Sequence, residues 1–172
     1  GLKFDSKGNL WLLNSLGSGV SLLEYTTDKQ WINHHNVLLT DDNSITVPGL
    51  SNMMIDSRGL LWFVNNNWKN PSVFCYDIDN DILLKYDQIV NQDDVKYQSY
   101  SVSCITEDKE GNMWVGTDVG PFMIQKSDIG QNKVTFYQVK VPRNDGTNYA
   151  DYLLNGVNIS CIAVDGGNRK WF

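Results

Sequence analysis

One stretch, Asp108-Lys109-Glu110-Gly111-Asn112-Met113-Trp114-Val115-Gly116-Thr117, constrains the fold more than anything else because its core occurs four times. The other copies are Asp5-Ser6-Lys7-Gly8-Asn9-Leu10-Trp11, Asp56-Ser57-Arg58-Gly59-Leu60-Leu61-Trp62 and Asp165-Gly166-Gly167-Asn168-Arg169-Lys170-Trp171. Each places Asp six residues before Trp, and the first three place Gly three residues after Asp. The tryptophans stand 51 (62 minus 11), 52 (114 minus 62) and 57 (171 minus 114) residues apart. Self-similarity at about 50 residues marks a repeat array in which each unit is one supersecondary element.

Short apolar runs flank each copy: Leu2 to Phe4, Met53 to Ile55, Val102 to Thr106 and Ile159 to Val164 before it, and Leu10 to Leu13, Leu60 to Val64, Met113 to Val115 and Trp171 to Phe172 after it. Two such runs joined by Asp-x-x-Gly read as a β-hairpin. The Asp accepts backbone N–H groups two or three residues on, and Gly supplies a positive φ at low steric cost. Asn168 takes the Gly position in the fourth copy, and Asn tolerates that conformation next best. A large ring at a fixed place in every unit suits packing of one sheet on the next, with its indole N–H needing a partner. Asp5, Gly8, Trp11, Asp56, Gly59, Trp62, Asp108, Gly111, Trp114, Asp165, Asn168 and Trp171 are therefore read as structural. A sugar or metal site at this motif would require four equivalent sites.

The chain divides into unit one at about 2–46, unit two at 47–99, unit three at 100–157 and the start of a fourth at 158–172. In unit one, Val20 to Tyr25 is the third strand and Gln30 to Val37 the outer one. In unit two these are Val73 to Ile78 and Ile82 to Tyr86, with Gln88 to Ser99 a polar return. In unit three, Phe122 to Lys126 is the third strand and Val134 to Val141 the outer one. Its long return, Pro142 to Gly156, has the length of loops that are functional or structured on themselves. No segment keeps a helical apolar period over ten residues. The layout is all-β: a β-propeller fragment of about three four-stranded antiparallel blades plus the first strands of a fourth. So few blades cannot close a ring alone, which implies a crescent whose ends pair between chains or two copies completing a ring.

Charge narrows the partners. With a net charge of -6, a pI near 4.7 and no basic run, a nucleic-acid backbone is excluded. No stretch of 18 apolar residues exists to span a membrane. Cys75, Cys104 and Cys161 lack ligand spacing. Cys104 and Cys161 hold equivalent places in adjacent units and read as small residues of packed inner strands rather than a disulfide. With His34 and His35 alone, no metal site is expected, and no cofactor either. The chain starts almost inside one repeat and stops inside another, reading as a piece of something larger, so the absence of a signal peptide says nothing about compartment.

The Asp-x-x-Gly-Asn-x-Trp-x-Gly-Thr pattern, fullest at Asp108 to Thr117, resembles the two-component-regulator propeller repeat of Bacteroidetes, found in periplasmic sensors of hybrid histidine kinases and in PorZ-like surface proteins of type IX secretion. The wording of Lys140 to Thr147, Asp151 to Leu154 and Ile162 to Trp171 is most similar to the PorZ-like group. Leu60 in place of Asn, and Asn14-Ser15 and Val64-Asn65 in place of Gly-Thr, depart from the pattern. The resemblance implies a non-catalytic recognition propeller in the periplasm or at the cell surface, with a polysaccharide or protein as ligand. The alternative within the family is the ligand-sensing domain of a kinase.

In a four-stranded blade, the loops after the second and fourth strands share the face opposite the Asp turns. That face gathers Ser15 to Gly19, Asp41 to Ser44, Asn65 to Asn70, Asp118 to Pro121 and Arg143 to Asn155. Rings stack on sugar C–H faces while amides and carboxylates bond hydroxyls, so the candidate ligand residues are Asn67, Trp68, Arg143, Asp145, Tyr149, Asp151 and Tyr152. The plainer reading is that these aromatics pin their own loops. A glycan-active enzyme is the competing class. Sialidase-type propellers place their Asp five residues before Trp and need clustered arginines, whereas Arg58, Arg143 and Arg169 fall in different units. A third class is a spacer propeller that binds nothing on this face.

Overall fold

The Asp turns close with one geometry in all four units. Asp5 accepts the backbone N–H of Lys7 and of Asn9, Asp56 those of Arg58 and Leu60, Asp108 those of Glu110 and Asn112, and Asp165 those of Gly167 and Arg169, at 2.9–3.0 Å. The second donor thus lies four residues on rather than three. The residue three on gives its N–H to the Asp carbonyl and enters the left-handed region, at φ 88° for Gly8 and Gly59, 86° for Gly111 and 62° for Asn168. The remaining carboxylate oxygen accepts the indole N–H of the Trp, at 3.0 Å for Trp11, 2.8 Å for Trp62, 2.9 Å for Trp114 and 3.3 Å for Trp171. A single carboxylate therefore closes the turn and satisfies the indole N–H, which explains the fixed Asp-to-Trp spacing.

The computed structural model describes residues 1–15, 19–40 and 49–172. Four strands, β1 (Leu2–Phe4), β2 (Leu10–Leu13), β3 (Leu22–Tyr25) and β4 (Trp31–Asn33), form an antiparallel sheet in sequence order, followed by a 3-10 turn at Val37–Leu39. A second sheet repeats the order with β5 (Leu50–Ile55), β6 (Leu61–Asn65), β7 (Ser72–Asp77) and β8 (Ile82–Tyr86). A hairpin, β9 (Ile89–Val90) and β10 (Lys96–Tyr97), comes next. The third sheet is β11 (Val102–Glu107), β12 (Met113–Thr117) and β13 (Gly120–Ile124). Two further hairpins, β14 (Lys140–Pro142) with β15 (Ala150–Tyr152) and β16 (Ala163–Val164) with β17 (Lys170–Trp171), end the chain.

The sheets pack face to face through the repeated ring. Trp11 is buried with Leu61, Phe63, Phe74, Tyr76 and Leu83 of the second sheet, and Trp62 with Met113, Val115, Phe122 and Ile124 of the third. Polar bonds stitch the same seams. Glu107 accepts the Ser57 backbone N–H at 2.7 Å and its hydroxyl at 2.6 Å, and Arg58 Nη1 donates to the Gly111 carbonyl at 2.7 Å. His34 lies 4.8 Å from the Trp11 ring, between Glu24 of the first sheet (2.8 Å) and the Tyr76 hydroxyl of the second (2.9 Å). Gly116 leaves room for Cys104, since a Cβ there would lie 2.5 Å from Sγ. Burial pushes the Cys104 thiol up to about 11. Cys104 and Cys75 are buried and Cys161 is exposed; all three are free thiols.

Several elements differ from the sequence reading. The outer strand of unit one is Trp31–Asn33, shorter than 30–37, because His34 turns inward under Trp11 and Asn36 caps the 3-10 turn. The third strand of unit three is Gly120–Ile124, starting two residues early, because the Thr117 hydroxyl donates to the Gly120 carbonyl and closes a tight turn. The expected fourth strand over 134–141 meets β13 only at Tyr137, paired with Met123. The β9–β10 hairpin takes its other side, Phe136 N–H donating to the Val90 carbonyl at 3.0 Å. The stretch 88–99 is thus a structured hairpin, not a polar return. The unit-four strand shrinks to Ala163–Val164, and Cys161, read as packed, is exposed because only one neighbouring sheet covers that strand.

Candidate functional site

The sequence-predicted ligand residues fall in two places that no hydrogen bond, ion pair or ring contact joins among the described residues. Asn67 and Trp68 occupy the turn between β6 and β7. There Asn65 Oδ1 accepts the Asn67 N–H at 3.1 Å, and Asn67 Oδ1 accepts the Lys69 N–H at 3.0 Å. Trp68 is 64% exposed, with Lys69 Nζ 5.6 Å from its ring. The loop parts at 16–18 and 41–48 that belonged to the same predicted face lie outside the described residues.

The remaining candidates build the β14–β15 hairpin, and most of their polar groups are spent on it. Arg143 donates to both Asp151 oxygens, at 2.8 and 2.6 Å, and this guanidinium holds the Asp151 carboxyl below its usual range. Asp145 accepts the Thr147 hydroxyl at 2.6 Å and its N–H at 3.0 Å, which lowers its pKa. Tyr152 donates to Asp93 at 2.5 Å, and Lys140 donates to the same carboxylate at 2.9 Å. Lys140 first, then Tyr152, depress the Asp93 pKa, and the cluster ties this hairpin to the β9–β10 hairpin. Only Tyr149, 68% exposed, stands out from the hairpin as a free ring. The long return is structured on itself.

The feature the sequence reading missed is the β9–β10 hairpin. Asn91 accepts the N–H groups of Asp93 and Val95 at 3.0 Å, Asp94 N–H bonds back to the Asn91 carbonyl, and Asp94 sits at φ 59°. This is the Asp turn again, with Asn91, Asp94 and Tyr97 in the places of Asp, Gly and Trp. That spacing is legible at 91–97 once the turn residues are allowed to vary. Asn91 Nδ2 bonds Gln138 at 3.0 Å instead of being reached by an indole, and Tyr97 packs edge-on to Phe122 at 5.3 Å. Two open clefts adjoin the hairpin, of about 480 and about 510 Å³, and share Asp87, Gln88, Val90 and Lys96 as walls. Among the described residues no group of three His, Cys, Asp or Glu is placed to hold a metal.

The geometry meets known proteins at this point. The family model described as two component regulator propeller matches residues 96–119, from β10 through the third Asp turn to the end of β12. Residues 96–119 thus match the two-component-regulator propeller repeat. PorZ of Porphyromonas gingivalis, a surface component of the type-IX secretion system, superposes with a TM-score of 0.80 at 20% identity, over 99% of this chain and 24% of that one. The extracellular domain of a putative one component system from B. thetaiotaomicron gives 0.63 at 21% identity, over 99% of this chain and 21% of that one. Virginiamycin B lyase from Staphylococcus aureus gives 0.53 at 15% identity, over 99% and 53%. At these identities the likeness shows the fold, a β-propeller fragment. The chain spans about a quarter or less of the first two proteins it matches. No curated protein matches the sequence at a significant level, and no helix of the described residues is long and apolar enough to cross a membrane.

Proposed function

We propose that this propeller segment is a non-catalytic recognition module of a PorZ-like extracytoplasmic protein and binds a glycan or protein partner. The observation that carries the reading is the superposition on PorZ over 99% of the chain. The acid inventory supports it: Asp5, Asp56, Asp108 and Asp165 are each committed to a turn and an indole, which leaves no paired acids free for hydrolysis at these turns. Trp68 and Tyr149 supply the exposed rings that sugar stacking needs. The repeat match and the sensor-domain likeness favour ligand sensing in a two-component system as the second reading. Leu2, Phe4 and Trp31 at one end, and Trp171 and Phe172 at the other, are exposed apolar surfaces on which further sheets, including those of a second copy, would complete a ring.

A glycan array probed with the 172-residue chain tests the module. Binding to at least one glycan is expected, with Trp68→Ala or Tyr149→Ala weakening it about tenfold, roughly 1.4 kcal/mol. An array with no glycan above background removes the glycan reading.

A further inference from the structure

We infer that the unpaired outer edge of β10 takes up an extended acidic segment of a partner protein as an added strand; this follows the protein-partner arm of the reading above and rests on it. The pairing inside the β9–β10 hairpin shows which backbone groups are free. Asn91 N–H donates to the Val95 carbonyl, so these two residues are a bonded pair. Alternation along an antiparallel ladder then makes Val90–Lys96 a non-bonded pair and Ile89–Tyr97 a bonded one. The backbone groups of Val90 and Lys96 therefore point out of the hairpin on opposite sides. On the Val90 side the outward carbonyl accepts the Phe136 N–H at 3.0 Å. On the other side the N–H and C=O of Lys96, and those of Gln98 two residues on, meet no partner among the described residues. Donors and acceptors at strand spacing are thus left for another main chain.

The surroundings keep that edge open and give it a sign. Lys96, Tyr97 and Gln98 line the cleft of about 480 Å³ together with Lys69, Asn70 and Pro71 of the β6–β7 turn. That turn has no N–H to give the edge. Lys69 N–H is bonded to Asn67 Oδ1 at 3.0 Å, Asn70 N–H to the Asn67 carbonyl at 3.1 Å, and Pro71 has none. The Asn70 carbonyl already accepts Asn65 Nδ2 at 2.7 Å and the Ser72 hydroxyl at 2.8 Å. Lys69 and Lys96 form no ion pair among the described residues, while Asp87, the one acid lining this cleft, is held by Lys85 at 3.3 Å. Its uncommitted charge is therefore positive on a chain of net charge -6, which favours carboxylate side chains on the incoming strand. Tyr97 anchors the edge by packing on Phe122 at 5.3 Å, and alternation leaves the exposed Lys96 and Gln98 on the other face.

Titration calorimetry of the 172-residue chain with an acetylated, amidated heptapeptide of alternating valine and glutamate tests the inference. Two altered peptides accompany it: one with lysine for glutamate, and one N-methylated at every residue, which keeps the side chains and removes the main-chain donors. The parent is expected to bind with a dissociation constant below about 1 mM, and both altered forms about tenfold or more weakly. Amide hydrogen exchange should slow at Lys96 and Gln98 on binding. Gln98→Pro removes an outward N–H without touching the bonds to β9, and should weaken the parent about tenfold with circular dichroism unchanged. Lys69→Gln with Lys96→Gln should abolish the preference for glutamate over lysine. Equal binding of either altered peptide, a glutamate preference kept in the double variant, or unslowed exchange at Lys96 and Gln98 in the saturated complex would each overturn the inference. So would no binding of the parent, the result for an edge that Lys96 merely guards. If the glycan array is positive and the peptide does not bind, this inference fails and the recognition module stands; if neither binds, both fail.

Discussion

The third and fourth Asp turns carry the same chemistry in opposite surroundings. Asp108 and Asp165 accept the same pair of backbone N–H groups and the same indole, yet Trp114 is 6% exposed and Trp171 59%. The indole bond is 2.9 Å in the first and 3.3 Å in the second. Over Trp114 lie Phe172, edge-on at 5.9 Å, and the Lys170 ammonium at 5.3 Å, both from the fourth unit. The motif thus makes its hairpin from local bonds alone, while burial of the ring comes from the following sheet. Stability lies in the seams, and the turns only aim the rings at them.

The largest effect should separate a ring in a seam from a ring outside one. Trp62→Ala empties a site closed by the third sheet and should cost about 3–5 kcal/mol, whereas Trp171→Ala should stay within about 1 kcal/mol. Urea denaturation of both variants checks this. Equal losses would mean that the indole-to-Asp bond, common to both, dominates over packing.

What the sequence made legible follows from the same division. Asp108, Gly111 and Trp114 announce themselves because a local turn needs those residue types at those separations, and so does the ring-on-sheet stacking they imply. The β9–β10 hairpin was illegible because Asn91, Asp94 and Tyr97 perform the turn with substitutes, and because its role depends on Phe136 and Gln138 some 45 residues away (136 minus 91). The predicted ligand residues failed to converge for a related reason. Arg143 and Asp151 look like free polar groups in a loop, but only β14–β15 pairing shows that they answer each other.

A middle-sized effect compares the two turns by acid. Burial works against the Asp108 carboxylate, but the Trp114 indole, the Asn112 backbone N–H and Lys170 overcome it and hold its pKa at about 2, against 3.8 ordinarily. A depressed folded pKa stabilises the ionised state above the unfolded value, so the contribution is complete above about pH 4 and lost as pH falls toward 2. It amounts to roughly 2 kcal/mol. Asp108→Asn should flatten that part of the acid-unfolding profile, and Asp165→Asn, at a solvent-facing turn, should change it less. An acid limb identical in wild type and Asp108→Asn would remove the carboxylate from the account.

The smallest effect concerns the residue at the left-handed position. Asn168 occupies it at φ 62° where the other turns use Gly, and its Oδ1 accepts the Lys109 backbone N–H at 2.9 Å across the seam to unit three. Gly would adopt the backbone more freely but would lose that bond, and the two effects oppose each other. Asn168→Gly should therefore shift stability by no more than about 0.5 kcal/mol, while Asn168→Ala, which loses the bond and strains the backbone, should cost about 1–2 kcal/mol. Urea denaturation of both variants decides it. If Asn168→Gly proves clearly stabilising, the cross-seam bond contributes nothing and Asn is there only as a tolerated stand-in; if it proves as costly as Asn168→Ala, the bond outweighs the backbone and Asn is the better residue wherever a turn abuts its neighbour.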